Sequence, residues 1–179
     1  MDAATLILET PRLRLREAVL SDSAFFLKLV SDPSWLENIG DRAVHSEEDA
    51  KQYITHNIRA PYRALGYGLY VMELKSPRVP IGLCGLVQRE YLPEPDLGFA
   101  LLPDRVGNGF AYEAARAVMS HAREKLGLGQ LYAIVKPDNQ RSIDLLRRLG
   151  FQRERAGVVP QEPDVELYAA ASLSLPGKR

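Results

Sequence analysis

Residues 96–111 read DLGFALLPDRVGNGFA, and they combine a short apolar run, a turn and the start of a helical pattern. The run from Asp96 to Leu102 predicts a strand, and from Gly109 onward the apolar residues recur at helical spacing. Gly107 and Gly109 lie where strand passes into helix, and without a Cβ their backbone can approach a ligand closely. Because the first N–H groups of a helix lack partners, the loop predicts a pyrophosphate site; a plain turn is the alternative from these residues alone.

Two better-known phosphate motifs do not fit this loop. A P-loop ends in Gly-Lys-Ser or Gly-Lys-Thr, whereas Gly109 is followed by Phe110 and Ala111. The dinucleotide fingerprint needs a third glycine at position 112, which is Tyr112, and it opens a parallel strand–helix–strand unit. Here the loop follows strands whose short turns predict antiparallel pairing, so both motifs are excluded.

A second pattern spans residues 135–151, VKPDNQRSIDLLRRLGF. Its Pro-Asp-Asn turn ends a buried strand and places Asn139 and Ser142 at the entrance of a helix that ends at Gly150. From these residues alone, the simpler interpretation is that Asn139 caps the helix and Ser142 lies in its first turn.

The rest of the chain surrounds these two segments with further strands and helices. Alternation over residues 13–16 predicts the first strand, and the helix after it should stop by Asp32, before a loop at Trp35. Another helix is expected from Ser46. The remaining strands are predicted at residues 68–74, 81–88, 96–102, 131–135, 151–155 and 165–170. We therefore expect a single domain over residues 1–179 with an α+β fold, in which helices flank a mostly antiparallel central sheet of about seven strands.

The bulk composition narrows the class of protein. Lys and Arg total 23, as do Asp and Glu, and the zero net charge gives no electrostatic reason to expect a nucleic acid or membrane partner. Cys84 is the only cysteine, which excludes an internal disulfide, and the three histidines have no metal-ligand spacing. The N-terminus lacks a signal-peptide pattern and no apolar run has the length of a membrane span, so we expect a cytoplasmic location.

In this order and spacing, the loop and the second pattern resemble the GNAT family of N-acetyltransferases. Residues 106–111 are similar to the family's acetyl-CoA signature, Gln/Arg-x-x-Gly-x-Gly/Ala, although Val106 stands where the signature favours Gln or Arg. The opening, residues 8–16, is similar to the branch that contains ribosomal-protein N-terminal acetyltransferases. Residues 96–99 are similar to that branch's Glu-Ile-Gly-Tyr strand. The resemblance covers nearly the whole chain and is strongest over residues 96–151.

The resemblance implies an enzyme that transfers the acetyl group of acetyl-CoA directly to a primary amine. The pantetheine arm is expected along the strand at residues 96–102, and the pyrophosphate on main-chain N–H groups of the loop. The expected cofactor-binding residues are Phe99, Ala100, Leu101, Val106, Gly107, Asn108, Gly109, Phe110, Ala111, Asn139 and Ser142. No metal site is expected.

The acceptor amine must lose a proton before it attacks, because a lysine amine has a pKa of ~10.4 and an α-amine one of ~7.7–8.0. Asp96 is the first candidate for the general base, with Glu94 and Glu162 behind it, since all three flank the expected site. A solvated charge is the structural alternative for each. By the resemblance, Ser142 protonates the leaving thiolate or orders a water that does so. Asn139, near the pantetheine or thioester, completes the expected catalytic set of Asp96, Ser142 and Asn139.

Three further features have competing interpretations. Cys84 raises an acyl-cysteine alternative, which its place in an apolar strand disfavours. Trp35 either lines an acceptor pocket or fills the edge of the core, and we favour the core. The cluster at residues 47–49 either attracts a cationic acceptor or simply opens a helix.

The branch resemblance favours a protein N-terminal α-amine as acceptor, with a small-molecule amine as the alternative. The other classes are a non-catalytic acetyl-CoA-binding module and a nucleotide-binding domain whose loop only resembles the signature. Consumption of acetyl-CoA in the presence of amines separates the enzyme from the module. Competition of ATP or NAD with CoA identifies the nucleotide binder. We expect a monomer or a homodimer.

Overall fold

One sheet runs through the structure, a computed structural model that describes residues 3–159 and 161–170. Its strands are β1 (Leu6–Glu9), β2 (Leu13–Arg16), β3 (Leu69–Leu74), β4 (Pro80–Val87), β5 (Asp96–Leu101), β6 (Tyr132–Val135), β7 (Phe151–Val158) and β8 (Glu166–Ala170). They lie in the order β1-β2-β3-β4-β5-β6-β8-β7. Neighbours are antiparallel except for β5 and β6, which are parallel.

Helices cover both faces of this sheet. They are α1 (Ser23–Val30), α2 (Pro33–Asn38), α3 (Glu47–Tyr53), α4 (Ala60–Leu65), α5 (Phe110–Glu124) and α6 (Gln140–Arg148). A π-helical segment, Ile54–Arg59, joins α3 to α4, and a 3-10 turn, Pro103–Arg105, follows β5. Within the described ranges, no helix is both long enough and apolar enough to cross a membrane.

Two apolar clusters hold the helices to the sheet. On one face, Ala114 and Val118 of α5 pack against strands β2 to β6, because their spacing places them on one side of the helix. On the other face, Phe26 of α1 and Ile54 pack with Leu83 of β4. Phe26 is 0% exposed, and burying a side chain of this size stabilises the fold by ~1.5–3 kcal/mol.

The predicted α+β fold with a mostly antiparallel sheet is confirmed, and the described residues contain eight strands rather than about seven. The predicted first strand is β2, and β1 precedes it. Sequence analysis missed β1 because it is an edge strand of four residues, with Leu6 and Glu9 exposed, and shows no buried face. The other strands match within one residue at each end, except that β7 continues to Val158 rather than ending at residue 155.

The predicted loop at Trp35 is wrong, because helix α2 occupies that segment. Helix α1 does end before Asp32, as predicted, with Ser31 as its C-cap. Asp32 then caps a new helix by accepting a hydrogen bond from the Ser34 N–H at 2.9 Å. Pro33 takes the first helical position, where its missing N–H removes no helical bond.

Candidate functional site

Strands β5 and β6 separate almost as soon as they have met. Asp96 and Tyr132 are the residues in register, and the Tyr132 N–H donates to the Pro95 carbonyl at 3.0 Å. Beyond that point β5 stays paired with β4 as far as Leu101, while β6 stays paired with β8 as far as Val135. The two strands thus enclose an opening between residues 97–101 and 133–135, which we call the β5–β6 notch.

Main-chain groups of β5 face the notch at alternate residues. On the β4 side, the Leu102 N–H donates to the Ile81 carbonyl at 2.9 Å, whereas the Pro95 carbonyl is bonded to β6. Because N–H and C=O directions alternate along a strand, Phe99 and Leu101 direct their main-chain groups toward the notch. Ala100, the third main-chain contact expected from the sequence, directs its groups toward β4 instead.

The glycine loop, residues 106–109, follows β5 at the end of the notch away from Asp96. Gly107 has φ +85° and Gly109 has φ +79°, conformations that favour glycine. Gly109 is the N-cap of α5, and the Glu113 N–H makes an early helical bond to its carbonyl at 3.0 Å. The N–H groups before Glu113, including those of Phe110 and Ala111, therefore have no helical acceptor and form a seat for an anion.

The loop is tied to the turn between β1 and β2, a connection that sequence analysis missed. The Glu113 carboxylate accepts hydrogen bonds from Thr10 Oγ1 at 2.6 Å, from the Arg12 N–H at 2.9 Å and from Arg12 Nε at 2.6 Å. Burial raises the pKa of Glu113, but the hydrogen bonds outweigh burial and hold that pKa below its ordinary value. Arg12 belongs to the opening that suggested the branch resemblance, but nothing in the sequence pairs it with residue 113.

Asn139 and Ser142 lie across the notch, at the start of α6. Asn139 is the N-cap, and its Oδ1 accepts a hydrogen bond from the Ser142 N–H at 3.2 Å. The capping role, which was the simpler interpretation of the sequence, is therefore confirmed. Both side chains are half-buried, in the turn that follows β6.

Asp96 lies at the closed end of the notch, where β5 and β6 meet. Even-numbered residues of β5 share the sheet face that carries α1 to α4, since Leu102 and Ala100 pack in the cluster on that face. Asp96 is 2% exposed, and its Oδ1 accepts a hydrogen bond from Arg89 Nε at 3.0 Å. Burial raises the pKa of Asp96 to about 6, although the neighbouring Arg89 guanidinium favours the charged form.

The structure brings Glu162 next to Asp96 through Arg89. Arg89 Nη1 donates to Glu162 Oε1 at 2.9 Å, and the Tyr91 hydroxyl donates to the same oxygen. Burial, followed by the bond to Glu162, raises the pKa of Tyr91 to about 12. Glu94, the other carboxylate considered from the sequence, faces a different group: its charge adds to the burial that raises the pKa of Tyr67.

The remaining candidates have structural roles. Cys84 is 0% exposed in β4 and burial raises the pKa of its thiol, so the acyl-cysteine alternative has no accessible thiolate. Trp35 is 5% exposed and packs in the cluster under α1 and α3, as the core interpretation predicts. Glu47 accepts a hydrogen bond from Ser23 Oγ at 3.0 Å and links α3 to α1. Within residues 3–159 and 161–170, no three His, Cys, Asp or Glu side chains are grouped to hold a metal ion.

Comparisons with known proteins agree with this geometry. The family model described as an acetyltransferase (GNAT) domain matches residues 12–152. YoaA of Bacillus subtilis, an uncharacterized N-acetyltransferase, is 32% identical over 158 residues, which cover 87% of this chain and 86% of YoaA. The spermidine N(1)-acetyltransferase of Escherichia coli is 26% identical over 132 residues, or 66% of this chain and 71% of that protein.

A solved structure extends the similarity to the fold. RimL, a ribosomal alpha-N-protein acetyltransferase, superposes with a TM-score of 0.78 at 21% identity, covering 94% of both chains. At that identity the likeness concerns the fold alone. The family match, which spans most of the chain, carries the assignment. The chain belongs to the GNAT family and is an acetyl-CoA-dependent N-acetyltransferase.

Proposed function

We propose that this enzyme acetylates the N-terminal α-amine of a protein or peptide, with Asp96 as the general base. The observation that carries the proposal is a buried carboxylate at the closed end of the β5–β6 notch, with its pKa raised to about 6. A carboxylate with its ordinary pKa of ~3.9 is a weak base toward any ammonium group. Burial therefore makes Asp96 better suited to take the proton that the acceptor must lose.

The basicity of Asp96 favours an α-amine over a lysine-like amine. An α-ammonium group has a pKa of ~7.7–8.0, about two units above that of Asp96, whereas a lysine ammonium group at ~10.4 lies more than four units above it. Each unit adds about 1.4 kcal/mol to the cost of moving the proton to the carboxylate. The same base therefore serves an α-amine at much lower cost.

The residues around the notch fit acetyl-CoA, which supplies the acetyl group as a thioester. The main-chain groups of Phe99 and Leu101 would hold the pantetheine arm. Residues 106–111 would hold the pyrophosphate, and a Cβ placed on Gly107 meets no atom within 4 Å, so the loop leaves room beside it. The Asn139 amide and the Ser142 hydroxyl would face the thioester from the other side of the notch.

The proposed chemistry assigns one proton transfer to each side of the notch. Asp96 first takes a proton from the acceptor's ammonium group, and the free amine then forms its bond to the acetyl carbon. As the carbon–sulfur bond breaks, the Ser142 hydroxyl, or a water that it orders, donates a proton to the sulfur and receives the second proton that the acceptor nitrogen releases. Arg89, which is itself bonded to Glu162, holds Asp96 in place, and the proton on Asp96 leaves to solvent after each turnover.

A small-molecule amine is the second candidate acceptor. It is favoured by the similarity to a spermidine acetyltransferase, at 26% identity over 132 residues. The amines of such a molecule are lysine-like, so Asp96 would face the larger pKa difference described above. A non-catalytic acetyl-CoA-binding module would release no CoA with either acceptor.

A paired acceptor panel tests the proposal. Release of CoA from acetyl-CoA would be measured with peptides that carry a free α-amine, with the same peptides blocked at the α-amine but containing lysine, and with spermidine. We expect turnover with the free α-amine peptides and little with the other two. Turnover of spermidine alone would move the assignment to the small-amine candidate.

The same assay tests the base. Asp96→Asn should lower kcat by about 10²–10⁴-fold, the usual contribution of a general base, without lowering the melting temperature. Asp144→Asn is the matched control, since Asp144 is an exposed carboxylate of α6 whose partners, Gln140 and Arg147, lie on the same helix. If Asp96→Asn kept the kcat of the wild type, the base assignment would be wrong whatever the acceptor.

A further inference from the structure

The Arg12 guanidinium contacts Asn108, Phe110 and Glu113 at the start of α5. Arg12 Nη1 donates to the Asn108 carbonyl at 2.9 Å, and the Arg12 guanidinium carbon lies 4.4 Å from the centre of the Phe110 ring. Arg12 Nη2 is 3.4 Å from the point where a Cβ on Gly109 would stand. Arg12 therefore borders the glycine loop, and its side chain is 47% exposed.

A pyrophosphate bound at the start of α5 would lie near the negative charge of Glu113, and a cation is needed to offset that charge. The Glu113 carboxylate lies in the first turn of α5, and its lowered pKa keeps it ionised at neutral pH. A carboxylate in this place repels a pyrophosphate bound to the same helix start. Arg12 Nε, at 2.6 Å from Glu113 Oε2, offsets that negative charge.

The glycine loop has an apolar side chain, Val106, at the position where the acetyl-CoA signature has a polar one. The acetyl-CoA signature favours Gln or Arg where this chain has Val106, which has neither charge nor a hydrogen-bond donor. Arg12 Nε and Nη1 are bonded to Glu113 and Asn108, so the guanidinium is fixed in one orientation. Nη2, with two N–H groups, remains at the edge of the loop to donate to an anion.

We propose that Arg12 is a specificity-determining residue of the acetyl-CoA site, which supplies to the pyrophosphate the positive charge that Val106 lacks. This inference rests on the proposed placement of the pyrophosphate at residues 106–111. The cation comes from the turn between β1 and β2, almost 100 residues before the loop that it serves. In this enzyme, preference for acetyl-CoA over a thioester without a pyrophosphate depends on that turn.

A pair of ligands that differ in the pyrophosphate separates this role from a general one. The affinities for acetyl-CoA and for S-acetyl-pantetheine, which ends before the pyrophosphate, would be measured by calorimetry on wild type and on Arg12→Ala. We expect Arg12→Ala to weaken acetyl-CoA binding about tenfold, the loss typical of one charge-assisted hydrogen bond, and to leave S-acetyl-pantetheine within about twofold. Equal weakening of both ligands, or of neither, would overturn the proposal.

Arg14→Ala is the matched control. Arg14 lies two residues along the same chain segment, but its ion pair is with Glu9 at 3.6 Å, in β1. The neighbours Leu13 and Leu15 pack in the cluster that includes α5, so Arg14 points away from that helix. Arg14→Ala should therefore keep the wild-type ratio of the two affinities, and a tenfold fall in that ratio would contradict the assignment to Arg12.

Two more variants keep the test decisive if Arg12→Ala folds poorly. Arg12→Lys retains the charge and should retain more acetyl-CoA affinity than Arg12→Ala. Glu113→Gln in the Arg12→Ala background removes the uncompensated carboxylate and should recover part of the lost affinity. No recovery with either variant would overturn the charge argument.

Gly109→Trp tests the placement of the pyrophosphate at residues 106–111. If this variant binds acetyl-CoA as wild type does, the proposed pyrophosphate site fails together with the inference. If Gly109→Trp loses acetyl-CoA binding while Arg12→Ala keeps it, the pyrophosphate site stands and only the inference about Arg12 fails.

Discussion

At Asp96, burial and a neighbouring cation act on the pKa in opposite directions. Loss of water around the carboxylate disfavours its charged form, whereas Arg89 at 3.0 Å favours it, and Glu162 adds a further repulsion. The outcome is a pKa of about 6, well above the ordinary value of ~3.9. The carboxylate is therefore ionised at neutral pH and still basic enough to take a proton.

Removing the cation should move the pH dependence of the reaction. In Arg89→Gln the pKa of Asp96 should rise further, so a larger share of the carboxylate is protonated at any pH near 6. Because the base works only when deprotonated, kcat should fall most at low pH and recover as pH rises. The measurement is kcat against pH for wild type and variant, with the acceptor found in the panel.

The control for this prediction is Arg78→Gln. It breaks a longer and more exposed ion pair, to Glu73 at 3.5 Å, beside the opposite end of β4 from Asp96. Its pH profile should match that of wild type. If Arg89→Gln instead lowers kcat by the same factor at every pH, Arg89 does not act through the protonation of Asp96.

Sequence analysis named Asp96 and Glu162 as carboxylates beside the expected site, but it missed Arg89, which joins them. Asp96 opens the strand of a recognisable motif, whereas Arg89 and Tyr91 lie between β4 and β5 and Glu162 lies between β7 and β8. Nothing in their spacing indicates that these two connections meet. The contact between Arg12 and Glu113 escaped prediction for the same reason, because it depends on how the first strands pack beside α5.

At the scale of elements, the start of α6 combines a structural and a proposed chemical role in one residue. The Asn139 side chain caps the helix through its oxygen, while its NH₂ group is the part expected to reach the cofactor. A serine at this position retains a capping oxygen and lacks the NH₂ group. The two roles can therefore be separated by substitution.

Asn139→Ala and Asn139→Ser should have different effects. Asn139→Ala should lower the free energy of unfolding by about 1 kcal/mol through loss of the cap and should also weaken acetyl-CoA binding. Asn139→Ser should unfold close to the wild-type temperature and yet bind acetyl-CoA more weakly. Melting curves and calorimetric titration of both variants make the comparison, and wild-type affinity in Asn139→Ser would leave Asn139 with the capping role alone.

Two helix starts were predictable from their capping side chains. Ser46 accepts a hydrogen bond from the Asp49 N–H at 3.1 Å and Asn139 from the Ser142 N–H, both at positions expected from the sequence. Helix α2 was missed because Pro33 was taken as the end of one helix, although proline also suits the first position of the next. Whether the chain continues as a helix after such a proline depends on what Trp35 can pack against, and that is a property of the core.

At the scale of the whole molecule, the notch is a defect in the sheet that a ligand can fill. The strand positions of β5 and β6 follow from local patterns, but their separation after Asp96 and Tyr132 does not. It depends on the course of β4 and β8, which hold the two strands from their outer edges. A ligand that pairs with Phe99 and Leu101 would supply partners for main-chain groups that have none across the notch.

Acetyl-CoA should therefore stabilise the protein and protect the notch in particular. At 100 times its Kd it should add ~2.7 kcal/mol to the free energy of unfolding, or about 5–11 °C in melting temperature for a domain near this size. Hydrogen exchange should slow in residues 97–111 and 133–142 and change little in β1 and β3, which lie away from the notch.

Gly109→Trp should abolish both effects, because a residue with a bulky side chain would have to adopt φ +79° beside Arg12. Gly127→Trp is the control: φ there is +69° in the turn after α5, so it carries similar backbone strain without touching the glycine loop. Loss of the acetyl-CoA shift in both variants would trace it to backbone strain, whereas loss in Gly109→Trp alone would place the ligand at the start of α5.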